Sequence, residues 1–181
     1  MALSLQKPVV LVGMMGAGKT AIGRSLAEFA NVSFLDSDEV IEERANLKIA
    51  EIFEKFGEAF FREKEAQVIE NLIENKPIVL ATGGGAFNTE TTRNTVNRLG
   101  FSVWMNADLE LIWKRVRDKT HRPLLQADNP KEVLTKLMAD RRDIYAQASA
   151  TLDIVEDVSI EATRNRLVDL LKSRNVIKAA P

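Results

Sequence analysis

The sequence contains no cysteine among its 181 residues, which excludes disulfide bonds and thiolate metal sites. No apolar run approaches the roughly 20 residues that a membrane-spanning helix requires. The formal net charge is only −1, so no basic surface of the kind that binds DNA or RNA is indicated. We therefore expect neither a nucleic acid nor a membrane as a partner.

The rest of the composition is that of an ordinary globular protein, with 45% hydrophobic and 28% charged residues. Its length predicts a single domain over residues 1–181. Residues 8–15, an apolar stretch after Lys7, have some likeness to the core of a signal peptide, but the phosphate-binding pattern described next accounts for them better. We therefore expect a cytoplasmic protein.

Residues 13–20, Gly-Met-Met-Gly-Ala-Gly-Lys-Thr, match the phosphate-binding loop pattern of a glycine, four residues and Gly-Lys-Thr. Residues 8–12 before it are apolar and largely β-branched, as in a buried parallel strand. Residues 21–29 after it have apolar side chains at helical spacing. This is the strand–loop–helix context in which the pattern binds a nucleotide.

Each residue type in the loop has a chemical reason. Glycines leave room for backbone N–H groups to surround phosphate oxygens, and the following helix directs its positive end at the anion. Lys19 can reach the β- and γ-phosphates, and the Thr20 hydroxyl can ligate Mg²⁺. The predicted ATP-binding residues of this loop are Gly13, Met14, Met15, Gly16, Ala17, Gly18, Lys19, Thr20 and Ala21.

Two aspartates follow the second predicted strand, residues 32–35. Ligands collect at the carboxyl ends of strands in an open α/β sheet. Asp36 is therefore a candidate for holding Mg²⁺ directly or through water, and Asp38 for accepting a proton from a substrate hydroxyl. Asp36 and Glu39 also fit a helix-capping pattern, which remains an alternative.

Residues 38–73 form a predicted helical insertion, broken at Gly57, between the second and third strands. A plain crossover between parallel strands needs only one helix, so the extra length indicates a part of the chain that covers a substrate. Arg62 and Glu65 are three residues apart and can meet on one helix face. Taken alone, such a pair is more typical of an exposed, weak salt bridge.

The third predicted strand, residues 78–81, runs into Gly83, Gly84 and Gly85. Three glycines in a row are costly in chain entropy, so we expect a substrate to lie against the backbone there. A tight turn, the alternative, needs only one of them. No carboxylate ends this strand, which shifts the Mg²⁺-organising role towards Asp36.

Residues 118–130 form a polar connection that is longer than most and is predicted to be a mobile lid. Closing it would exclude water and bring Arg122 to the transferring phosphoryl group, whereas His121 is given no role. Trp104 and Trp113 are expected to be packing residues. The tail, residues 174–181, is expected to be frayed.

Together these motifs resemble one family, the shikimate kinases, which are P-loop phosphotransferases related to the nucleoside monophosphate kinases. The motifs lie in order along nearly the whole chain. They are residues 13–27, 34–38, 49–53, 57–58, 61–65, 82–86 and 122–125, and Arg141 with Tyr145.

The resemblance implies an α/β P-loop kinase fold with a five-stranded parallel sheet of order 2-3-1-4-5, flanked by helices, with a helical substrate-binding insertion and a mobile lid. It implies a monomer that uses ATP and Mg²⁺ to phosphorylate the 3-hydroxyl of shikimate. The shikimate contacts that it implies are Asp38, Arg62, Gly83, Gly84, Gly85 and Arg141.

By the same resemblance, Lys19 and Arg122 stabilise the transferring phosphoryl group, Asp38 is a candidate proton acceptor, and Glu65 orients Arg62 from behind. The ion is held by Thr20 directly and by Asp36 through water. Arg117 and the loop after the fifth strand, at Asp157, flank the adenine.

Three positions depart from the family's usual residues: Asn46, Asp143 and Gln147 stand where glycine, proline and glutamate are common. None of them removes an expected phosphate or carboxylate contact. Two alternatives remain. A related kinase for another polyol acid, such as gluconate, would also use an arginine pair, and a non-catalytic nucleotide-binding regulatory module would share the fold.

Overall fold

The computed structural model describes residues 3–74, 76–118 and 128–179. The strands are β1 (Leu3–Leu5), β2 (Val9–Val12), β3 (Ser33–Asp36), β4 (Ile78–Ala81), β5 (Phe101–Ala107), β6 (Ala150–Ile154) and β7 (Ile177–Ala179). The α-helices are α1 (Lys19–Ala30), α2 (Ser37–Ala45), α3 (Ile49–Ile73), α4 (Glu90–Leu99), α5 (Leu109–Val116), α6 (Pro130–Tyr145) and α7 (Ile160–Ser173). A short 3₁₀ helix spans Ala86–Asn88.

Five parallel strands form the central sheet in the order β3-β4-β2-β5-β6. Counted within this sheet, that is the 2-3-1-4-5 order that the family resemblance implied, and the prediction is confirmed. All residues of β2 and β4 are buried, because helices cover both faces of a parallel sheet. Val9 pairs with Val79 on one side and Phe101 on the other, so the phosphate loop leaves the sheet at its centre.

Helix ends follow from residue chemistry. Asn46 ends α2 in the left-handed conformation at φ 50°, and Asp108 caps α5 by accepting a hydrogen bond from the Leu111 N–H at 2.8 Å. Gly57 interrupts α3 at φ 81° and ψ 167°, as predicted. Helix α6 ends at Tyr145. Trp104 and Trp113 pack against the core, also as predicted.

The expectation of a frayed tail is wrong for β7. This strand pairs antiparallel with β1, with Leu3 opposite Ala179 and Leu5 opposite Ile177. Val176 and Ile177 are buried in the main core, which gives the two short strands their reason to order. Strands of three residues are too short to show the alternation by which a strand is recognised in a sequence.

Most of the predicted lid, including His121 and Arg122, lies outside the described residues. Within the described residues, no helix is both long enough and apolar enough to span a membrane.

Candidate active site

The phosphate loop joins the end of β2 to the start of α1. Gly16 and Gly18 have φ values of 77° and 97°, a conformation that residues with a Cβ rarely adopt. Space is short as well, because a Cβ on Gly16 would lie 2.8 Å from Cγ1 of Val116. No side chain of the described residues caps the first turn of α1, so its positive end is available to an anion.

The ammonium group of Lys19 lies across this loop, donating to the carbonyl oxygens of Gly13 at 2.7 Å and Met14 at 2.8 Å. Beside it, the Thr20 hydroxyl donates to Oδ2 of Asp36 at 3.3 Å. The other carboxylate oxygen of Asp36 accepts from the Asp38 N–H at 3.0 Å. Asp36 therefore caps α2 with one oxygen and faces Thr20 with the other, so the two interpretations of this residue are compatible.

The Thr20–Asp36 pair suits Mg²⁺ better than a metal that needs most of its ligands from protein side chains. The described residues contain no group of three or more histidine, aspartate or glutamate side chains arranged to hold an ion. Mg²⁺ is commonly bound by one or two protein oxygens together with phosphate oxygens and water. One hydroxyl and one carboxylate beside a phosphate loop match that requirement.

Asp38 lies partly buried at the start of α2, next to Gly83. Burial, reinforced by the negative charge of Asp36, raises the pKa of Asp38 to about 6, against the opposing effect of Lys19 and Arg62. A carboxylate with a pKa near neutrality is better matched to proton transfer than an ordinary aspartate.

Arg62 on α3 is held by two glutamates of the same helix. Its Nη1 donates to Oε2 of Glu65 at 2.7 Å, and its Nε lies 3.4 Å from Oε1 of Glu58. Glu65 is only 1% exposed, so the pair is not the exposed salt bridge that remained an alternative. Burial raises the pKa of Glu65 to about 7 although Arg62 lowers it, and Asp38 and Glu58 raise it further.

The three consecutive glycines are needed for space. Gly13, Gly16, Gly18 and Gly57 are the glycines with positive φ among the described residues, so Gly83–Gly85 do not form a left-handed turn. A Cβ on Gly83 would lie 2.7 Å from Oδ1 of Asp38, and one on Gly85 would lie 2.3 Å from Nη2 of Arg62. The backbone is therefore closely approached as predicted, but by the protein's own Asp38 and Arg62.

Arg141 on α6 completes this side of the site. Its Nη1 donates to the Gly84 carbonyl at 3.0 Å. The structure thus brings two arginines to the glycine segment, Arg62 at Gly85 and Arg141 at Gly84, although they come from helices far apart in the chain.

A cavity of about 720 Å³ lies beside the phosphate loop. Its lining includes that loop, Asp36, Asp38, Gly83 and Gly84, whereas Arg62, Gly85 and Arg141 are not among the lining residues. Residues from α5, from the end of β6, from the connection after it and from the start of α7 also line the cavity. They are Arg115, Ile154, Val155, Val158, Ile160 and Thr163.

At the predicted adenine contacts the structure differs in detail from the sequence prediction. Arg115 lines the cavity, and its Nη1 donates to the Gly16 carbonyl at 3.0 Å. Arg117 is not among the lining residues; its Nε lies 3.6 Å from Oδ2 of Asp118. Asp157 occupies a left-handed turn at φ 60° between lining residues without lining the cavity itself. The sequence prediction named Arg117 and not Arg115. Which of the two arginines faces the cavity depends on the orientation of the last turn of α5, and the sequence does not show where that turn ends.

Comparisons with known proteins agree with one another. A family model described as "Shikimate kinase" matches residues 15–172. Among curated relatives, the shikimate kinase of Cereibacter sphaeroides is 51% identical over 94% of this chain and 85% of its own length. The shikimate kinase of Ruegeria pomeroyi is 49% identical over 96% of this chain and 89% of its own.

A solved structure adds the fold. The shikimate kinase of Acinetobacter baumannii, determined in complex with shikimate, superposes with a TM-score of 0.87 at 37% identity, covering 94% of this chain and 95% of its own. Sequence and fold therefore give the same answer over nearly the full length. The chain belongs to the shikimate kinase family, whose members are kinases that use ATP as the phosphate donor.

Proposed function

We propose that the chain transfers the γ-phosphoryl group of ATP to the 3-hydroxyl of shikimate, giving shikimate 3-phosphate and ADP, with the site residues in the roles set out below. The observation that carries this proposal is a cavity that is lined both by the phosphate loop and by Asp38, Gly83 and Gly84. Donor and acceptor can then lie in one space, which is the main requirement of a phosphoryl transfer catalysed by positioning and charge.

On the donor side, Lys19 and the uncapped start of α1 hold the phosphates. The Lys19 ammonium lies in the loop and contacts two of its carbonyl oxygens. When bound, Mg²⁺ would neutralise phosphate charge, held by the Thr20 hydroxyl directly and by Asp36 through water. Arg115, Val155 and Ile160, which line the same cavity, offer a charged plane and apolar surface to the adenine.

On the acceptor side, Arg62 and Arg141 bind the shikimate carboxylate, because a guanidinium matches a carboxylate with two parallel hydrogen bonds. Glu65 fixes the Arg62 head from within the protein. Asp38 orients the ring hydroxyls, and its raised pKa makes it a candidate acceptor for the proton that the 3-hydroxyl loses. The helical insertion of residues 38–73 thereby serves as the substrate-binding part.

Arg122 lies outside the described residues, and its role is proposed from the resemblance of residues 122–125 to the family's lid motif. It would reach the transferring phosphoryl group when the lid closes.

We also propose a monomer. Five described large apolar residues are exposed, Phe29, Phe56, Phe60, Val155 and Ile160. Val155 and Ile160 line the nucleotide cavity, which leaves little apolar surface for a partner. Because ATP is the donor, we place the reaction in the cytoplasm.

The deciding experiment measures ADP release with Mg²⁺ and ATP against shikimate, gluconate and AMP in turn, with a no-acceptor control. Turnover with shikimate alone is expected. Turnover with gluconate would preserve the phosphate chemistry but overturn the substrate. If the protein bound ATP but released ADP with none of the three acceptors, a non-catalytic regulatory module would be favoured. Lys19→Ala should abolish turnover with shikimate while leaving the fold intact by circular dichroism.

A further inference from the structure

Tyr145, the chain's single tyrosine and the last residue of α6, has no part in the roles set out above. It is only 2% exposed, and its ring stacks on Trp104 with centroids 6.0 Å apart. A phenylalanine would supply the same packing. The hydroxyl group is therefore the feature that needs an explanation, because burying a hydroxyl is costly unless it is hydrogen-bonded.

The Tyr145 hydroxyl donates a hydrogen bond to the carbonyl oxygen of Gly84. The same oxygen accepts from Nη1 of Arg141 at 3.0 Å. One main-chain carbonyl thus ties together two side chains of α6 and the glycine segment after β4. Burial raises the pKa of Tyr145, so the hydroxyl remains protonated and continues to donate at neutral pH.

Gly84 is also in contact with the phosphate loop. A Cβ on Gly84 would lie 3.6 Å from the Met15 nitrogen and 3.7 Å from the Gly13 carbonyl, so its main chain packs against that loop at van der Waals distance. The Tyr145 hydroxyl itself lies 3.8 Å from the Met14 sulfur. The tyrosine therefore touches the donor half of the site and fixes the acceptor half.

We propose that Tyr145 is a positioning residue for the acceptor: its hydroxyl fixes the Gly84 carbonyl, and through that shared oxygen it orients Arg141 for the carboxylate of the substrate. This inference rests on the proposed function, because it assigns Arg141 to the acceptor. Tyr145 need not touch the substrate, since its effect passes through Gly84 and Arg141.

The test is Tyr145→Phe, which removes one oxygen and keeps the ring. The KM for shikimate should rise roughly tenfold, about the effect of one hydrogen bond to an oriented partner. The KM for ATP and kcat should change by less than about twofold. The melting temperature should stay within a few degrees, because the Gly84 carbonyl keeps Arg141 as a donor and is not left unpaired.

Ser102→Ala is the matched control. Its hydroxyl is also fully buried and hydrogen-bonded, donating to Oδ1 of Asn97 at 2.6 Å and accepting from the Ser149 N–H at 2.8 Å. Ser102 lies near the amino end of β5, whereas the site lies at the carboxyl ends of the strands. This variant should lower the melting temperature and leave the KM for shikimate unchanged, which separates loss of a buried hydroxyl from loss of positioning.

A double-mutant cycle with Arg141→Lys tests the route. Lysine lacks the planar fork that spans the Gly84 carbonyl and a carboxylate, so Tyr145→Phe should add little in that background. Three outcomes would each overturn the proposal. The two substitutions could have fully additive effects, or Tyr145→Phe alone could leave the KM for shikimate unchanged. Tyr145→Phe could also lower kcat and stability while raising both KM values in parallel. Failure of the wild-type protein to turn over shikimate would instead overturn the proposed function, before any variant is compared.

Discussion

Replacing Glu65 with glutamine should make the stability of the protein less dependent on pH. Glu65 is almost completely buried, and burial raises its pKa to about 7 from a reference value of 4.5, in spite of the 2.7 Å contact with Arg62. A carboxyl group whose pKa is higher in the folded state stabilises that state while it is protonated. This contribution is complete below the unfolded pKa and is lost as the pH rises through the folded pKa.

The size of the loss follows from the two pKa values. The linkage relation gives a fall of about 2 to 3 kcal/mol in the free energy of unfolding between about pH 5 and about pH 8 for this one group. Glutamine has nearly the same shape and does not titrate. The difference between the free energies of unfolding of the wild type and of Glu65→Gln should therefore fall by about 2 to 3 kcal/mol over this interval.

Urea unfolding of both proteins at the two pH values, fitted as a two-state transition, measures that difference. Glu58→Gln is the control: Glu58 Oε1 also lies beside Arg62, 3.4 Å from its Nε, but the Glu58 side chain is 67% exposed, and an ion pair open to solvent contributes little to stability. A difference that is constant with pH would refute the reasoning. A difference of opposite sign would show that pairing with Arg62 outweighs burial, and that the pKa of Glu65 is lowered.

Three further predictions concern activity. Gly85→Ala should raise the KM for shikimate by about tenfold or more, because the new Cβ would displace the guanidinium of Arg62. It should also lower the melting temperature, because the buried Glu65 would lose its partner; steady-state kinetics and thermal unfolding would show both effects. Thr20→Val should raise the Mg²⁺ concentration needed for half-maximal turnover by about tenfold or more in a metal titration, and an unchanged requirement would remove Thr20 from the metal site. Arg115→Ala should raise the KM for ATP by several-fold while Arg117→Ala leaves it within about twofold, and the reverse pattern would favour the assignment made from the sequence.

Local patterns made most of the fold predictable. The phosphate loop and the break at Gly57 each depend on a few consecutive residues whose backbone preferences are strong. The strand order, in contrast, came from the family resemblance, since no local signal states which strands become neighbours.

The contact between Arg62 and Glu65 could be predicted from their spacing along one helix, but contacts between elements far apart in the chain could not. The bond from Tyr145 to Gly84 joins positions 61 residues apart in the chain, and spacing along one helix does not predict such a partner. The same holds for Gly83 and Gly85: the need for close approach was predictable, whereas the approaching groups, Asp38 and Arg62, are fixed by the packing of α2 and α3.

The pairing of β1 with β7 has a consequence for how the chain can be rearranged. Leu3 lies directly opposite Ala179, so a short linker could join the two ends of the described chain without disturbing the sheet. New ends could then be opened in a helix-to-strand connection, at the edge of the sheet opposite the phosphate loop. In such a circular permutant the ribosome would synthesise the phosphate loop in the middle of the chain. We expect the active site to assemble nevertheless, because it depends on the order of the strands in space and not on the order of their synthesis.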